Sequence, residues 1–405
     1  MADQDPGARA DLGEPGLAPG QSAGGAMRLT REQDDLRAAV HGLLDRYPAE
    51  PDADADAERR RWHRLCAEIG VGGLAIPERF GGAGAGPVEV HVVMEELGRS
   101  LTPAPMLGSA VLATQALLAT GDEAACQRLL PGLADGSQTA ALAWTTAAGR
   151  WDPAEVACRA SVAAPGDWAA PGDWAATGDR ATGNWAVTGE AHYVLDGDSA
   201  SVLLVPALMP DGQTGLFEVL PAQPQVTREA LTSVDESRRL CVVRLDRAAG
   251  RRVGDRIALD PVRDAACIAL SAEQAGAAAA ALALTVAYTK VRVQFGRPIG
   301  GFQALQHRMA EMHVLVESAR SLSYAAAEAA DQGAPDTGLR AAAAKVYCSE
   351  ALAQVSGEMI QLHGAIGMTW EHVAHRYFKR AHGAAFLLGA PAGHVARVAA
   401  AVVDG

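Results

Sequence analysis

The last third of the chain is a series of long helix-favouring stretches that is broken at only three places. From Pro261 to about Val402, glycine- and proline-containing breaks occur at 296–301, 333–335 and 364–367. Alanine is abundant, hydrophobic residues make up 49% of the chain, and aromatic residues make up only 5%. Because alanine has the highest helix propensity of all residues, this pattern predicts three or four long helices packed on one another.

The beginning of the chain also has a helical pattern. Thr30 followed by Gln33 forms a capping-box sequence, which predicts that a helix starts there. Further helical stretches are predicted at 56–69, 88–98, 104–118 and 123–133, with glycine and proline between them. We therefore expect a helical domain over 27–137. Residues 1–26 are rich in Gly, Pro, Ala and Asp and are predicted to form a flexible tail.

Between the two helical parts, over 138–256, short apolar runs alternate with Gly, Asp and Pro turns. This alternation predicts antiparallel strands of a small barrel or sandwich. The hexapeptide APGDWA occurs at 164–169 and again at 170–175, but so few copies cannot bury the core of a solenoid, so an expanded loop is expected. The predicted fold class is mostly α with a central β domain, followed by a helical domain over 257–405.

Charge and cysteine content exclude several classes of protein. The formal net charge of −13 argues against a general nucleic-acid-binding surface, which needs excess cations. The six cysteines are scattered without a C-x-x-C pair and are expected to be reduced thiols of a cytoplasmic protein. The acidic N-terminus lacks the apolar centre of a signal peptide, and charges interrupt the alanine runs, so no membrane span is expected.

Two C-terminal segments are specific enough to indicate a family. They are YTKVRVQFGRPIGGFQALQHRMAEM at 288–312 and QLHGAIGMTWEHVAHRYFKRA at 361–381. Together with LAIPERFGGAGAG and EELGRSLTPAP in the N-terminal part, they resemble the acyl-CoA dehydrogenase family over about 28–400. The resemblance implies a helical N-terminal domain, a central β domain and a C-terminal four-helix bundle. It also implies FAD, an acyl thioester carried on coenzyme A or a carrier protein, and an oligomer whose subunits complete each other's flavin sites.

The resemblance assigns flavin contacts to two motifs and the β domain. Arg292 has a fork of donors suited to phosphate oxygens, and Phe295 can cover an adenine ring; in the family these residues reach the neighbouring subunit's flavin. Taken singly, Arg292 could be a solvated helix-end charge and Gly364 a simple helix C-cap. The implied flavin-binding residues are Arg292, Gln294, Phe295, Gln303, Gln361, Gly364, Ala365, Gly367, Thr145 and Tyr193. Ala365 stands where the family usually has a second glycine.

Thr145 and Tyr193 are the implied flavin contacts in the β domain. Thr145 fits a family threonine that touches the edge of the flavin ring. Tyr193 replaces a tryptophan that packs on the flavin, although it could equally be an ordinary strand aromatic. The Glu-Pro that follows the family's threonine is absent here, because Thr146 and Ala147 occupy these positions.

The resemblance implies a catalytic glutamate that this chain lacks. In the family, a carboxylate removes the α-proton of the thioester while the β-hydrogen leaves as hydride to the flavin. Counting along the motifs places the two usual base positions at Leu388 and Ala266, and neither side chain accepts a proton. Asp264 is expected to point to another helix face, Glu273 to meet a subunit or helix neighbour, and Glu371 to be structural. No catalytic residue is therefore predicted.

The histidines of the second motif offer an alternative site. His363, His372, His375 and His382 lie close together in sequence. Their spacing fits no recognised ligand set, so no metal is predicted.

Three functions remain open. The first is the base-free subunit of a heteromeric acyl-CoA dehydrogenase, as in bacterial family members that act on bulky thioesters such as steroid side chains. The second is a diverged flavin oxygenase or oxidase on the same fold. The third is a non-catalytic scaffold subunit. The expected partners are an acyl thioester, a homologous dehydrogenase chain or a second copy of this one, and an electron-transfer flavoprotein as electron acceptor.

Overall fold

The computed structural model describes residues 29–48, 55–163 and 185–403 of the chain. The predicted tail at 1–26 and the repeated hexapeptides at 164–175 lie outside these residues. Within them, the predicted fold class is confirmed, since a strand domain lies between two helical parts.

The N-terminal part is built from short and medium helices. They are α1 (Arg31–Arg46), α2 (Ala55–Ile69), α3 (Pro87–Ser100), α4 (Thr114–Thr120) and α5 (Glu123–Ala134). The predicted capping box is present: the Thr30 hydroxyl accepts a hydrogen bond from the Gln33 backbone, and the Gln33 side chain accepts one from the Thr30 backbone. The predicted helix at 104–118 instead begins with a wider π-helical segment, Met106–Ala113, which leads directly into α4.

The central strands form a closed barrel. They are β1 (Ala140–Leu142), β2 (Cys158–Val162), β3 (Trp185–Leu195), β4 (Val202–Leu208), β5 (Thr214–Val219), β6 (Val226–Ala230) and β7 (Leu240–Val253). Pairing runs β4–β2–β3–β7–β5 and returns to β4, while β1 adds to β4 and β6 adds to β7. The prediction of antiparallel strands is confirmed for β2 with β3 and for the other neighbouring pairs, but it is wrong for the pairing of β1 and of β2 with β4, which is parallel. These strands are not joined to β4 by hairpins, so no local turn in the sequence reveals their direction.

The C-terminal part contains three long helices and two shorter ones. They are α6 (Leu259–Val291), α7 (Gln303–Asp331), α8 (Thr337–His363), α9 (Ala374–Phe386) and α10 (Pro391–Val403). A small hairpin, β8 (Val293–Gln294) and β9 (Arg297–Pro298), separates α6 from α7. The three predicted breaks are confirmed. A fourth break at Leu388 and Gly389, both with positive φ, separates α9 from α10.

Helix α6 is the centre of the molecule. It packs against α7, α8 and α3, and it is apolar and long enough to cross a membrane by length and composition. Since 72% of its most apolar window is buried inside the protein, the packing accounts for its apolar character. Two glycines, Gly98 on α3 and Gly276 on α6, let the backbones of these helices touch. A Cβ at either position would clash with a carbonyl oxygen of the opposite helix, that of Glu273 or Glu95.

The six cysteines lie in the core of the described residues. All are buried and free of disulfides. Burial raises the pKa of five of these thiols to about 12, so they are not activated nucleophiles; these five are Cys66, Cys158, Cys241, Cys267 and Cys348.

Candidate functional site

A cavity of about 880 Å³ lies between the barrel and the C-terminal helices. Its walls are Tyr193 and the 148–154 loop of the barrel, the start of α6, the turn between α9 and α10, and α10 itself. The cavity thus brings together Tyr193, an implied flavin contact, and Leu388, an implied base position. We call it the barrel–helix cavity.

Both implied base positions are apolar and buried, and Leu388 also borders the barrel–helix cavity. Leu388 and Ala266 each have 0% of their surface exposed, and they belong to one continuous buried hydrophobic cluster together with Val262 and Leu387. An ionised carboxylate at either place would be without a partner in this cluster. Leu388 lies at the wall of the barrel–helix cavity, whereas Ala266 belongs to the core and is not among the residues that line the cavity.

His394 is the histidine nearest to the missing base, and its imidazole is already engaged. Its Nδ1 atom faces the Arg397 guanidinium, which can only donate, at 3.3 Å, so Nδ1 accepts. Its Nε2 atom consequently carries the proton and donates it to the Leu388 carbonyl, at 2.9 Å. Burial lowers the pKa of His394 to about 4, which keeps the ring neutral. His394 thus positions the α9–α10 turn and leaves no nitrogen available as a base.

Asp260 and Asp264, near the cavity, are held in ion pairs, whereas the exposed Asp152 at its wall accepts a hydrogen bond from the Ala154 backbone amide at 2.9 Å. Asp264 accepts two hydrogen bonds from Arg397, at 2.8 and 3.1 Å, and lies 3.3 Å from the Nε atom of Arg263. Asp260, at the cavity wall, accepts from Arg263 at 2.7 Å. The expectation that Asp264 serves another face of its helix is consistent with these contacts. Two guanidinium groups, Arg263 and Arg397, are thereby fixed at the wall.

The two implied flavin contacts of the β domain, Thr145 and Tyr193, differ in whether they border the cavity. The Thr145 side chain is buried, and its hydroxyl donates to the Arg150 carbonyl at 2.7 Å. Tyr193 has a φ of 54°, and its hydroxyl donates to the Ala147 carbonyl at 3.3 Å. Its ring borders the cavity. The structure therefore brings Tyr193 to the site and places Thr145 just behind it, since the Thr145 carbonyl accepts from the His192 amide next to Tyr193.

The hairpin after α6 displays the first motif at the surface. Arg292 ends α6, and Phe295 and Gly296 form its two-residue turn with φ values of 52° and 78°. Such a turn favours Asn-Gly or Gly-Gly, because a bulky side chain is disfavoured at positive φ. Phe295 is nevertheless present and is 91% exposed. An aromatic ring held in a disfavoured conformation away from the core indicates a function outside this chain. Gln294 and Gln303 are exposed beside it.

The glycine turn after α8 displays the second motif. Gly364 has φ 66° and ψ −146°, a combination that glycine alone adopts readily. Ala365 follows without a positive φ, so its side chain causes no strain. Gly367 is buried, and a Cβ there would lie 3.1 Å from the His363 side chain and from the Ile360 carbonyl oxygen. The turn therefore keeps exposed backbone, beside the exposed Gln361, where a ligand can approach.

The two motifs lie at one end of the molecule. The ring of Tyr288, near the end of α6, stacks on His363 with centroids 4.3 Å apart, which joins the hairpin to the glycine turn. Exposed apolar side chains surround them; these are Val291, Val293, Phe295, Met368 and Trp370. None of the eight motif residues is among the residues that line the barrel–helix cavity. The implied flavin contacts thus form two separate groups in one chain.

The motif histidines take part in ring packing. His363 donates from Nδ1 to the Met359 carbonyl, at 2.7 Å, and its ring lies 4.4 Å from that of His372. His375 packs edge-on against Trp370, and His382 packs against Phe378. In the part of the chain that the structure describes, no group of three or more His, Cys, Asp or Glu residues is arranged to hold a metal.

Glu273 belongs to a buried network of ion pairs. The sequence had left open whether its neighbour is another subunit or a helix of the same chain. Its carboxylate accepts from Arg380 of α9 at 2.8 Å and from Arg238 of the barrel. Burial alone would raise the pKa of Glu273, but the two guanidinium groups lower it, so the carboxylate is ionised. The neighbour of Glu273 is therefore a helix of the same chain. Glu371, the other acidic residue considered, is exposed.

Two residues at the site were missed in the sequence, namely His394 and Arg397. The only signal was their location in α10, just after the implied base position. One turn of helix separates them, so both can point to the same side. Neither residue belongs to the quoted motifs, and the contact with Leu388 depends on the turn between α9 and α10.

The comparisons with known proteins agree with this geometry. The family model of the acyl-CoA dehydrogenase C-terminal domain matches residues 264–403, and that of the N-terminal domain matches residues 30–137. The chain is 35% identical over 382 residues to acyl-CoA dehydrogenase IpdE2 of Mycolicibacterium smegmatis, covering 92% of this chain and 100% of the relative.

Two solved structures are similar along nearly the whole chain. A variant of the Tcur3481-Tcur3483 steroid ACAD has 30% identity and a TM-score of 0.78, covering 92% of this chain and 98% of that one. The ChsE4-ChsE5 complex from Mycobacterium tuberculosis has 26% identity and a TM-score of 0.78, covering 93% and 99%.

Proposed function

Because the chain belongs to the acyl-CoA dehydrogenase family, whose members are flavin-dependent oxidoreductases, we propose that it is the base-free half of a heteromeric dehydrogenase. The complex would form an α,β double bond in an acyl thioester. The observation that carries this proposal is the burial of Leu388 and Ala266, the two implied base positions, in one apolar cluster.

The surroundings of the cavity support the absence of a substitute base. The imidazole of His394 has both nitrogens engaged, Asp260 and Asp264 are paired with arginines, and Asp152 accepts a hydrogen bond from the Ala154 backbone amide. General acid–base catalysis contributes about 10²- to 10⁴-fold to a rate, so a chain without a base would be a poor dehydrogenase on its own. A homologous partner with a glutamate would supply the missing group.

The exposed end of the molecule supports a contribution to the partner's flavin. FAD, when bound, supplies the redox chemistry. From this chain, Arg292 would hold its phosphates, Phe295 would cover the adenine, and the backbone near Gly364 would approach the phosphates. The fit rests on Phe295, which is 91% exposed at positive φ and has an edge-on ring contact with Phe302, and on the glycine-only conformation of Gly364 at the C-cap of α8.

Two similar structures support the proposed partner and substrate class. Both Tcur3481-Tcur3483 and ChsE4-ChsE5 are named as pairs of chains, and the first is called a steroid ACAD. This supports a homologous second subunit and a bulky acyl thioester for the present protein. We expect an electron-transfer flavoprotein as the electron acceptor and the cytoplasm as the location.

The cross-subunit role is tested with Arg292→Ala in the co-purified heteromer. Loss of a charge-assisted contact to phosphate predicts a 10- to 100-fold weaker affinity for FAD, measured as flavin bound per complex after dilution and gel filtration. Arg297→Ala is the matched control, because Arg297 belongs to the same hairpin and lies over the Phe302 ring at 4.0 Å. Unchanged flavin affinity in the Arg292 variant would remove this part of the proposal.

A further inference from the structure

A lysine is enclosed in the core beneath the turn that joins α9 to α10. Lys345 of α8 has 0% of its surface exposed. Its Nζ atom donates hydrogen bonds to the Ser349 hydroxyl at 2.9 Å and to the carbonyls of Ala384 and Ala385 at 3.2 and 3.0 Å. A lysine ammonium has three protons, so these three acceptors satisfy it fully. Among the residues that the structure describes, no carboxylate pairs with Lys345.

The two carbonyls belong to the last turn of α9. A helix leaves its last four carbonyls without partners inside the helix. Leu387 follows α9 in an extended conformation, with φ −67° and ψ 138°, so the chain leaves the helix instead of folding back over its end. Lys345 supplies two of the missing donors, and its positive charge suits the negative end of the helix dipole. The end of α9 is therefore capped from the core by α8.

The same turn is bonded from its other side by α10. The Leu388 carbonyl accepts from His394, and the Phe386 carbonyl accepts from the Gly389 amide at 3.3 Å. Leu388 has a positive φ of 62°, which is disfavoured for leucine and persists only where surrounding contacts hold it. Phe386, Leu388 and Gly389 also line the barrel–helix cavity. The position of this cavity wall thus depends on hydrogen bonds from Lys345 and His394.

We propose that Lys345 is the positioning residue of the α9–α10 turn, and that the turn leaves the barrel–helix cavity only when the Lys345 amine is exposed to water. The carbonyls of Ala384 and Ala385 cannot move away without breaking their bonds to Nζ. The amine would then keep Ser349 as its remaining partner in the core, which is costly unless water reaches it. This coupling holds whether or not the chain is the base-free half of a heteromer.

Hydration of Lys345 makes the position of the turn depend on pH. Burial lowers the pKa of Lys345 in the folded chain from 10.5 to about 8. An opened turn restores the usual pKa, so opening takes up a proton between these two values. Raising the pH from 7 to 9 therefore makes opening of the turn about tenfold less favourable.

The other groups around Lys345 keep their charge in this range. They are the thiols of Cys267 on α6 and Cys348 on α8, the Arg238 guanidinium, and the His394 imidazole on α10. Burial raises the pKa of both thiols to about 12 and lowers the pKa of His394 to about 4, and arginine stays protonated. A change between pH 7 and pH 9 at the turn is therefore assigned to Lys345.

The test is quenched-flow hydrogen exchange of the purified full chain at pH 7 and pH 9, with each rate divided by the intrinsic exchange rate at that pH. Protection of the amides of 384–389 is expected to rise about tenfold from pH 7 to pH 9. Amides at the centre of α6 report unfolding of the whole chain and should be more protected at both pH values. Protection of the turn that stays constant or falls with pH, or that equals the protection of α6, would overturn the proposal.

Two lysine variants locate the effect. Lys345→Met keeps the length of the side chain but has no donor and no titratable group, so the pH dependence at the turn should vanish. Lys379→Met is the matched control, because Lys379 is also on α9 but its ammonium packs over the Trp370 ring, at 4.2 Å. It should keep the tenfold rise. An equal rise in both variants would refute the role of Lys345, and the wild-type profile decides the proposal if Lys345→Met does not fold.

Discussion

The barrel–helix cavity and the exposed end of the C-terminal helices differ in which of the family's functional features they contain. Both places for a catalytic glutamate, Leu388 at the cavity wall and Ala266 in the core, are filled by buried apolar side chains. At the exposed end, Phe295 has a disfavoured backbone conformation and Gly364 has one that glycine alone adopts readily, and we propose that both serve a flavin. Under the proposed function, the chain would have lost the chemistry of its own site while it contributes to the site of a neighbour.

The two regions also differ in how their side chains contribute to the stability of the chain. A buried Leu388 contributes about 1.5–3 kcal/mol of hydrophobic stabilisation where a base would reduce stability. A residue such as Phe295 in the left-handed region costs about 1–3 kcal/mol and gains little from its own chain, since its ring is 91% exposed. Stability alone therefore explains the cavity and does not explain the exposed hairpin.

The largest effect on the free energy of unfolding is expected from the substitution Leu388→Glu. A carboxylate without a partner in the apolar cluster should lower the free energy of unfolding by more than about 3 kcal/mol at neutral pH. Leu388→Met, which keeps the volume and the backbone strain, should cost less than about 1.5 kcal/mol. Chemical denaturation of both variants is the measurement. Equal stability of the Glu and Met variants would show that the base position is still open to charge and would break the comparison.

A smaller effect is expected from the titration of His394. Because the folded-state pKa is near 4 and the unfolded value near 6.5, the unfolded state binds the proton first as pH falls. The contribution of His394 is thus present above pH 6.5 and is lost towards pH 4, by up to about 3 kcal/mol. His394→Gln should reduce this pH dependence of the unfolding free energy. His382→Gln, at an exposed histidine, should leave it unchanged; identical pH profiles for both variants would contradict the role of His394.

The smallest effect on stability is expected at the glycine turn after α8. Gly364→Ala forces a side chain into a glycine-only conformation and should lower stability by about 1–3 kcal/mol. It should also reduce flavin retention by the heteromer. Gly357→Ala, within the same helix α8 and with open space around its Cβ position, should be neutral or slightly stabilising. Thermal unfolding and bound flavin are measured together. Full flavin retention in the Gly364 variant would separate the turn from cofactor binding.

The helices were predictable because their signals are local. The capping box at Thr30, the glycine and proline breaks and the alanine-rich stretches each act within a few residues. The parallel pairing of β1 and β2 with β4 was not predictable, because it depends on contacts between distant segments. For the same reason, the bond from His394 to Leu388 and the bonds from Lys345 to the last turn of α9 appear only in the folded chain.

The predicted site residues likewise divide into those that sequence motifs indicate and those whose contacts appear only in the folded chain. The resemblance of the motifs to the family predicted roles for Arg292, Phe295 and Gly364, and the structure places each of them in or next to a short turn. Counting along the motifs also gave Leu388 and Ala266 as the two usual base positions. The structure places both in one buried hydrophobic cluster. Thr145 was predicted to touch the edge of the flavin, and this stays a prediction; the structure adds that its hydroxyl donates to the Arg150 carbonyl, a loop contact that no motif encodes.

The most direct measurement is an anaerobic visible-absorption titration of the heteromer with a panel of acyl-CoAs, including bulky ones. It compares the intact complex, this chain alone, and a complex in which the partner's catalytic glutamate is changed to glutamine. Bleaching of the flavin in the intact complex, and in neither of the other two, is the predicted result. Bleaching that persists with this chain alone, or with the glutamine-bearing partner, would show that the chain carries its own base and would contradict its assignment as the base-free half.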